Sequence, residues 1–237
     1  MVRILARDMS IVSSFELSSY YGDVVASEEF IYAMNDDLGH ITSRTHDGTE
    51  VATYEDPDKL VADPVLAPGG LLFCVLYDNN DTTQDEIIAL DAQTLQPRHR
   101  FGQSLLKEAC GMAVVGEELF VCDCGNDRLQ VFSLAGEHRR SITGEWKRPE
   151  ALCFVKDRLY LVEEQDYSKD DEGNLISPLQ GGRIFVLSLQ GETLQVYTQP
   201  DEGQLFDGVY CFDGKLLAPV QVRGDIPNEV VVALCGV

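Results

Sequence analysis

The sequence predicts an all-β chain folded as a β-propeller of four-stranded antiparallel blades, and three observations predict it. Short apolar runs alternate with a period of two along the whole chain, the pattern of strands whose successive side chains face opposite ways. A hairpin centred on Gly136 recurs at Gly48, 88 residues earlier, and at Gly191, 55 residues later, which is two periods of about 44 and one period with an insertion. The strand pair that precedes each hairpin is found five times. Four strands in about 40 to 45 residues make one propeller blade.

Taken in order, "VRILAR" (2–7) is a surplus strand and "SIVSSFEL" (10–17) a strand without a local hairpin. The first unit pairs "GDVVASEEFIYAMN" (22–35) with the hairpin "HITSRTHDGTEVATY" (40–54), turning on Asp47-Gly48. The second joins "PVLAPGGLLFCVLY" (64–77) to "EIIALDAQTLQPRHRF" (86–101). In the third, "GMAVVGEELFVCDC" (111–124), Phe120, Cys122 and Cys124 alternate with Val121 and Asp123. Gly125-Asn126 then turns the chain into strands Arg128 to Leu134 and Arg139 to Thr143. The fourth is "ALCFVKDRLYLVEE" (151–164) with "RIFVLSLQGETLQVYT" (183–198). The fifth, "GVYCFDGKLLAPVQ" (208–221) with "EVVVALCGV" (229–237), has only three strands. "SIVSSFEL" is the outer strand it lacks, so pairing the N- and C-terminal strands in one blade closes the ring and removes an open edge. The count is five blades, or six if "VRILAR" belongs to another, in a single domain over 1–237.

With 44% hydrophobic residues the chain can bury a sizeable core. Eighteen Lys plus Arg against 40 Asp plus Glu give a formal charge of -22, which repels a phosphate backbone and sets nucleic acid aside as a partner. Such a charge suits cations or basic partners. No run approaches the ~20 apolar residues of a membrane span, and "MVRILARDMS" has no apolar signal core, so the expectation is a cytoplasmic protein without membrane contact. The seven cysteines, an odd number inside apolar strand patterns, read as reduced core thiols. Cys122 and Cys124 share one strand face with no histidine nearby, a pattern of core packing and not of a soft-metal site. His40, His46, His99 and His138 fall at different positions in their units and are expected to be exposed; Trp146 is expected to be a packing wedge at a blade junction. Asn80-Asp81-Thr82 reads as a turn, and no nucleophile elbow or phosphate-binding glycine loop is present.

Aligning the units on Phe30, Leu72, Leu119, Leu159 and Leu216 brings Tyr21, Asp63, Cys110, Glu150 and Asp207 to one position just ahead of the first strand. In a propeller that position rings one mouth of the central channel. Carboxylates held together there are protonated, solvated or neutralised by a cation, and oxygen ligands favour calcium or magnesium over zinc. The alternative is that Asp63, Glu150 and Asp207 cap turns and no cofactor is bound. The same face carries the loops between second and third strands: 163–182, 77–86 and 222–229, all acidic. Loops that vary on a repeated scaffold are usual recognition sites, with Asp166, Tyr167, Asp170, Asp171 and Glu172 as the candidate contacts here.

The segments "GMAVVGEELFVCDCGNDRLQVF" and "RPEALCFVKDRLYLVEE" resemble the NHL-type propeller repeat, with Asp123, Asn126 and Arg128 standing where that repeat has its Asp, Asn and Arg. The resemblance implies that Asp123 and Arg128 serve blade packing and that the domain binds proteins, peptides or RNA; the charge argues against RNA. "FDGVYCFDGKLLAPV" and "RPEALCFVKDRLYLV" are similar to strand starts of gluconolactonase and regucalcin-like propellers, where acidic residues bind a divalent metal. That likeness implies Asp207 and Glu150 as ligands with Asp63 as a third, and a lactonase or esterase type of hydrolysis. Two functions therefore compete. One is a non-enzymatic scaffold that binds a protein or peptide with a basic patch through its acidic loops, as a monomer or a subunit of a larger assembly. The other is a metal-dependent hydrolase with its cation at the channel mouth.

Overall fold

The computed structural model describes residues 2–5, 11–15, 21–35, 38–78, 85–163, 182–198, 204–206, 208–212, 215–222 and 231–235; side chains are described from Asp23 to Tyr210, outside 204–206. The apolar runs become strands. Strands β1 (Val2–Leu5) and β2 (Ile11–Phe15) pair in a two-stranded sheet. Four sheets of four sequential antiparallel strands follow, each a blade. The first is β3 (Tyr21–Ala26), β4 (Ile31–Asn35), β5 (His40–Arg44) and β6 (Glu50–Glu55). The second is β7 (Leu60–Ala67), β8 (Leu71–Tyr77), β9 (Glu86–Asp91) and β10 (Pro97–Phe101). The third is β11 (Ala109–Val115), β12 (Glu118–Asp123), β13 (Arg128–Ser133) and β14 (His138–Thr143). The fourth is β15 (Pro149–Val155), β16 (Arg158–Glu163), β17 (Ile184–Leu187) and β18 (Thr193–Tyr197).

A last sheet holds β19 (Gln204–Phe206), β20 (Tyr210–Phe212), β21 (Lys215–Val222) and β22 (Val231–Cys235). Both β19 and β20 pair β21, from Gln204↔Val222 to Phe212↔Lys215, while β22 pairs it over Leu216 to Val220. The overlapping partners put β19 and β20 in succession along one edge of β21 and β22 on the other. The sheet is thus three strands across, as the sequence of the fifth unit predicts. The closing pair differs from expectation: in the described pairings β2 lies against β1, not against β22. A hairpin partner a few residues away closes a short loop at little entropic cost.

In each blade the second and third strands are the core. β8, β9, β12, β16 and β17 are almost continuously buried, because a blade has neighbours on both faces and its inner strands need not alternate. Outer strands β6, β10 and β14 are exposed at most positions and carry the charges. The chain divides into two compact units, residues 1–110 with 116–119 and 132–139, and residues 111–115 with 120–131 and 140–237. The core of the first includes Tyr32, Ile41, Val61, Leu72, Cys74, Leu76, Ile88 and Leu90; the second has a cluster of Cys153, Val155, Tyr160, Val162, Ile184, Val186 and Val209. None of the five described cysteines is in a disulfide. Among the described residues, no helix is long and apolar enough to cross a membrane.

Three details refine the sequence reading. β12 ends at Asp123, and Cys124–Asn126 form a 3-10 turn instead of prolonging the strand. His99 is not a surface side chain: it stacks on Phe101 at 5.7 Å and meets Phe73 edge-on, with its Nε2 buried. Trp146 is the expected wedge, fully buried and edge-on to Phe185 at 5.9 Å.

Two backbone positions lead to predictions. A Cβ on Gly111 would stand 2.5 Å from the Glu150 carbonyl oxygen and 2.7 Å from the Ala151 Cα, so β11 and β15 approach backbone to backbone there. Gly111→Ala should lower stability by about 1–3 kcal/mol, the usual cost of overpacking, read as a shift in the urea midpoint; an unchanged midpoint would contradict the close approach. The hairpin from β15 to β16 turns on Lys156 and Asp157, both at positive φ (45° and 63°), although neither is glycine. Such two-residue turns favour Asn-Gly. Replacing both, Lys156→Asn with Asp157→Gly, should raise stability by about 1 kcal/mol.

Candidate functional site

The sequence places five residues at one level ahead of the first strands, and the structure sets the four described ones inside them. Tyr21 opens β3 opposite Asn35, Cys110 is second in β11, Glu150 second in β15 and Asp63 fourth in β7. They are also staggered. Asp63-Pro64 bulge opposite Cys74, because Ala62 pairs Val75 and Val65 pairs Phe73. Glu150 is an extra residue between Pro149↔Glu163 and Ala151↔Val162. Bulges of different size and position break a count made from the second strands. Asp63 and Cys110 belong to the first compact unit and Glu150 to the second. Asp207, Asp166, Tyr167, Asp170, Asp171 and Glu172 lie outside the described residues.

Within the first unit, Asp63 is half-buried at φ 47° and its Oδ2 accepts the Tyr77 hydroxyl at 2.6 Å. Burial and the charges of Asp63 and Cys110 push the Tyr77 hydroxyl well above its ordinary value, so it stays a donor. Burial, aided by Asp63, likewise pushes up the Cys74 thiol. Glu150 is exposed. Among the described residues, no three His, Cys, Asp or Glu side chains converge to hold a metal ion.

What the structure does show is a recurring carboxylate at the turns between second and third strands, buried at Asp85, Asp123 and Glu163 and partly exposed at Asp127. Asp123, fully buried at the end of β12, accepts from Asn126 Nδ2 (2.8 Å), Arg128 Nε (2.7 Å) and Gln130 Nε2 (3.1 Å). The motif residues Asp123 and Arg128 thus serve packing, as the resemblance implies. Glu163, at the end of β16, receives a two-pronged bond from Arg183 (Nε and Nη2, both 2.7 Å) and the Lys147 N–H at 2.8 Å. Backbone bonds Glu163 N to Arg183 O and Gly182 N to Glu163 O close the neck of the loop over 164–181. Asp85 stands just before β9; its Oδ2 accepts the Ala109 N–H at 3.0 Å and its Oδ1 the Asp78 N–H at 3.4 Å. Asp127 does the same one blade on, accepting the Arg148 N–H at 2.8 Å and Lys147 Nζ at 3.0 Å.

Solved structures with the same arrangement of strands include the WD40 beta propeller domain of Doa1 (TM-score 0.59, 12% identity, 82% of this chain and 58% of that one). Streptogramin B lyase matches with TM-score 0.58 at 15% identity, over 86% of this chain and 78% of that one. BamB from Moraxella catarrhalis matches with TM-score 0.55 at 14% identity, over 92% of this chain and 75% of that one. The fold is a β-propeller. No protein-family model matches the chain, and no curated protein matches it in sequence. The chain spans little more than half the length of the Doa1 domain, and at such identities the likeness carries the fold alone.

On this propeller the buried carboxylates are acceptors already engaged by two or three donors, which suits them to fixing loops and not to proton transfer. Asp85 differs in one respect. Burial raises its carboxyl above the ordinary aspartate value, against the N–H groups of Ala109 and Asp78 that favour the anion. A carboxyl raised in the folded state keeps its proton longer than in the unfolded chain, so its contribution to stability falls as pH rises from about 4 through the raised value. Asp85→Asn keeps an oxygen acceptor for Ala109 but does not titrate. Measured by urea unfolding, the variant should gain stability relative to wild type between pH 4 and pH 7; parallel pH profiles would contradict this assignment.

Proposed function

We propose that this propeller is a non-enzymatic interaction module that binds a protein or peptide with a basic patch through the acidic loops joining its second and third strands. The observation that carries the reading is the anchoring of those loops. Residues 164–181 are bracketed by the ion pair of buried Glu163 with Arg183, and residues 79–84 by Asp78 and the buried Asp85. A rigid base under a variable acidic loop suits recognition, since little scaffold entropy is lost on binding. The charge of -22 selects basic partners, because potentials across interfaces tend to be complementary. A cytoplasmic setting, where thiols stay reduced, fits the cysteines.

One observation favours a second reading, a metal-dependent lactonase or esterase using calcium or magnesium at Asp63, Glu150 and Asp207. Asp63 is a non-glycine residue in left-handed geometry within a strand bulge, presenting a half-buried carboxylate beside Tyr77. Strained polar residues of that kind cluster at functional sites.

The two readings separate in one set of assays. Quantitative pull-downs at low and high salt should return partners whose capture falls with salt and falls again when residues 165–180 are shortened, while a lactone and ester panel with calcium or magnesium shows no turnover. A catch indifferent to both changes would overturn the scaffold. Cation-dependent turnover that Asp63→Asn with Glu150→Gln abolishes would establish the hydrolase in its place.

A further inference from the structure

The outer strands of the four blades are not alike. Each is an edge, and edges are ordinarily blunted by charge, proline or a bulge. β6 carries Glu50 and Glu55, with Glu50 held by Arg44 at 2.6 Å; β10 carries Pro97, Arg98 and Arg100; β14 carries His138, Arg139 and Arg140. β18, Thr193-Leu194-Gln195-Val196-Tyr197, has neither a charge nor a proline. Its partner in the described sheet is β17 alone, on one side. Leu194 and Val196 are 48% and 38% exposed, two apolar side chains on a strand that otherwise faces solvent. Leu194 is the extra residue of a bulge, since Val186 pairs Gln195 and Leu187 pairs Thr193, which leaves Gln195 to Tyr197 as the straight run.

We propose that β18 is a docking edge for an extended segment of a partner protein that alternates apolar residues with lysine or arginine, added as a further strand to the fourth blade. Strand addition draws affinity from the backbone ladder and specificity from alternate side chains. The apolar residues of the guest would meet Leu194 and Val196. Its charge follows from the chain's formal charge of -22 and from Glu192, exposed just before β18. Arg140 reaches this region through the Leu189 carbonyl at 3.3 Å and is a cation at the turn, not on the strand. A second copy of the chain would bring together two chains of the same large negative charge, which like charges oppose. The site is distinct from the acidic loops and stands or falls separately from them.

The test uses a fluorescein-labelled heptapeptide alternating lysine and valine, with a glutamate–valine heptapeptide and a lysine–serine heptapeptide as controls, read by anisotropy. The lysine–valine peptide should bind saturably and at least tenfold more tightly than either control. Val196→Lys, which puts a charge on the edge, and Leu194→Ser with Val196→Thr, which removes only apolar contact, should each weaken it at least tenfold. Shortening residues 165–180 should leave it unchanged, which separates this edge from the loop face. Circular dichroism and thermal midpoints of the variants confirm that the fold persists. Absence of saturable binding, equal binding by the lysine–serine peptide, indifference to both edge variants, or loss on loop shortening would each overturn the proposal. So would sedimentation showing a dimer that Val196→Lys dissociates, since a second copy would then occupy the edge.

Discussion

In the first three blades the second-to-third-strand turn takes hold of the segment that leads into the next blade, and the described structure depends on that constraint. Gly39 of the first blade accepts the Val61 N–H through its carbonyl at 3.0 Å. Asp85 of the second accepts the Ala109 N–H, and Asp127 of the third accepts the Arg148 N–H. Cys124 adds a contact from its Sγ to the Pro149 carbonyl at 2.7 Å. A strand start buried between blades has backbone N–H groups with no ladder partner, and an unmet buried donor costs roughly 1–3 kcal/mol. The latches meet that demand with the preceding blade, so the same bonds satisfy the backbone and couple neighbouring blades.

A second layer of contacts works on the outer strands. Arg100 of β10 reaches back to Asp56, after the outer strand of the first blade, and to Glu86 of β9, while Lys59 pairs Glu86 at 3.2 Å. Burial works against ionisation of Asp56, but the Asp58 N–H, the Tyr54 hydroxyl and Arg100 outweigh it and hold its carboxyl below the usual range. Aromatic side chains bridge the same region, with Phe101 against Phe132 at 5.1 Å and Phe132 against His138 at 5.4 Å. Much of the local acidity is therefore spent on packing.

The blades were legible in the sequence because their signal is periodic. Alternating runs, Gly-centred hairpins and a spacing near 44 residues locate most strands of the four complete blades to within a residue or two, although β7 starts at Leu60 and not Pro64, and the short fifth unit is three strands across, as expected. The packing role of Asp123 and Arg128 was legible through a motif. The level of Asp63 against Glu150 was not, because a bulge adds a residue without changing the apolar pattern on which an alignment rests. Nor were the latches of Asp85 and Asp127, since a carboxylate beside a turn looks the same in sequence whether it caps its own turn or reaches the next blade. His99 was misread because its place on an outer strand suggests a solvent face, whereas the ring stacks on Phe101.

Native-state amide hydrogen exchange at Ala109 tests the latch most directly. If the Asp85 carboxylate couples the second blade to the third, this first residue of β11 should exchange only through an opening as costly as that which frees the core amides of β8, and Asp85→Ala should return it to the rate of an open turn. Exchange at Ala109 as fast in wild type as in Asp85→Ala, with β8 still protected, would contradict the account.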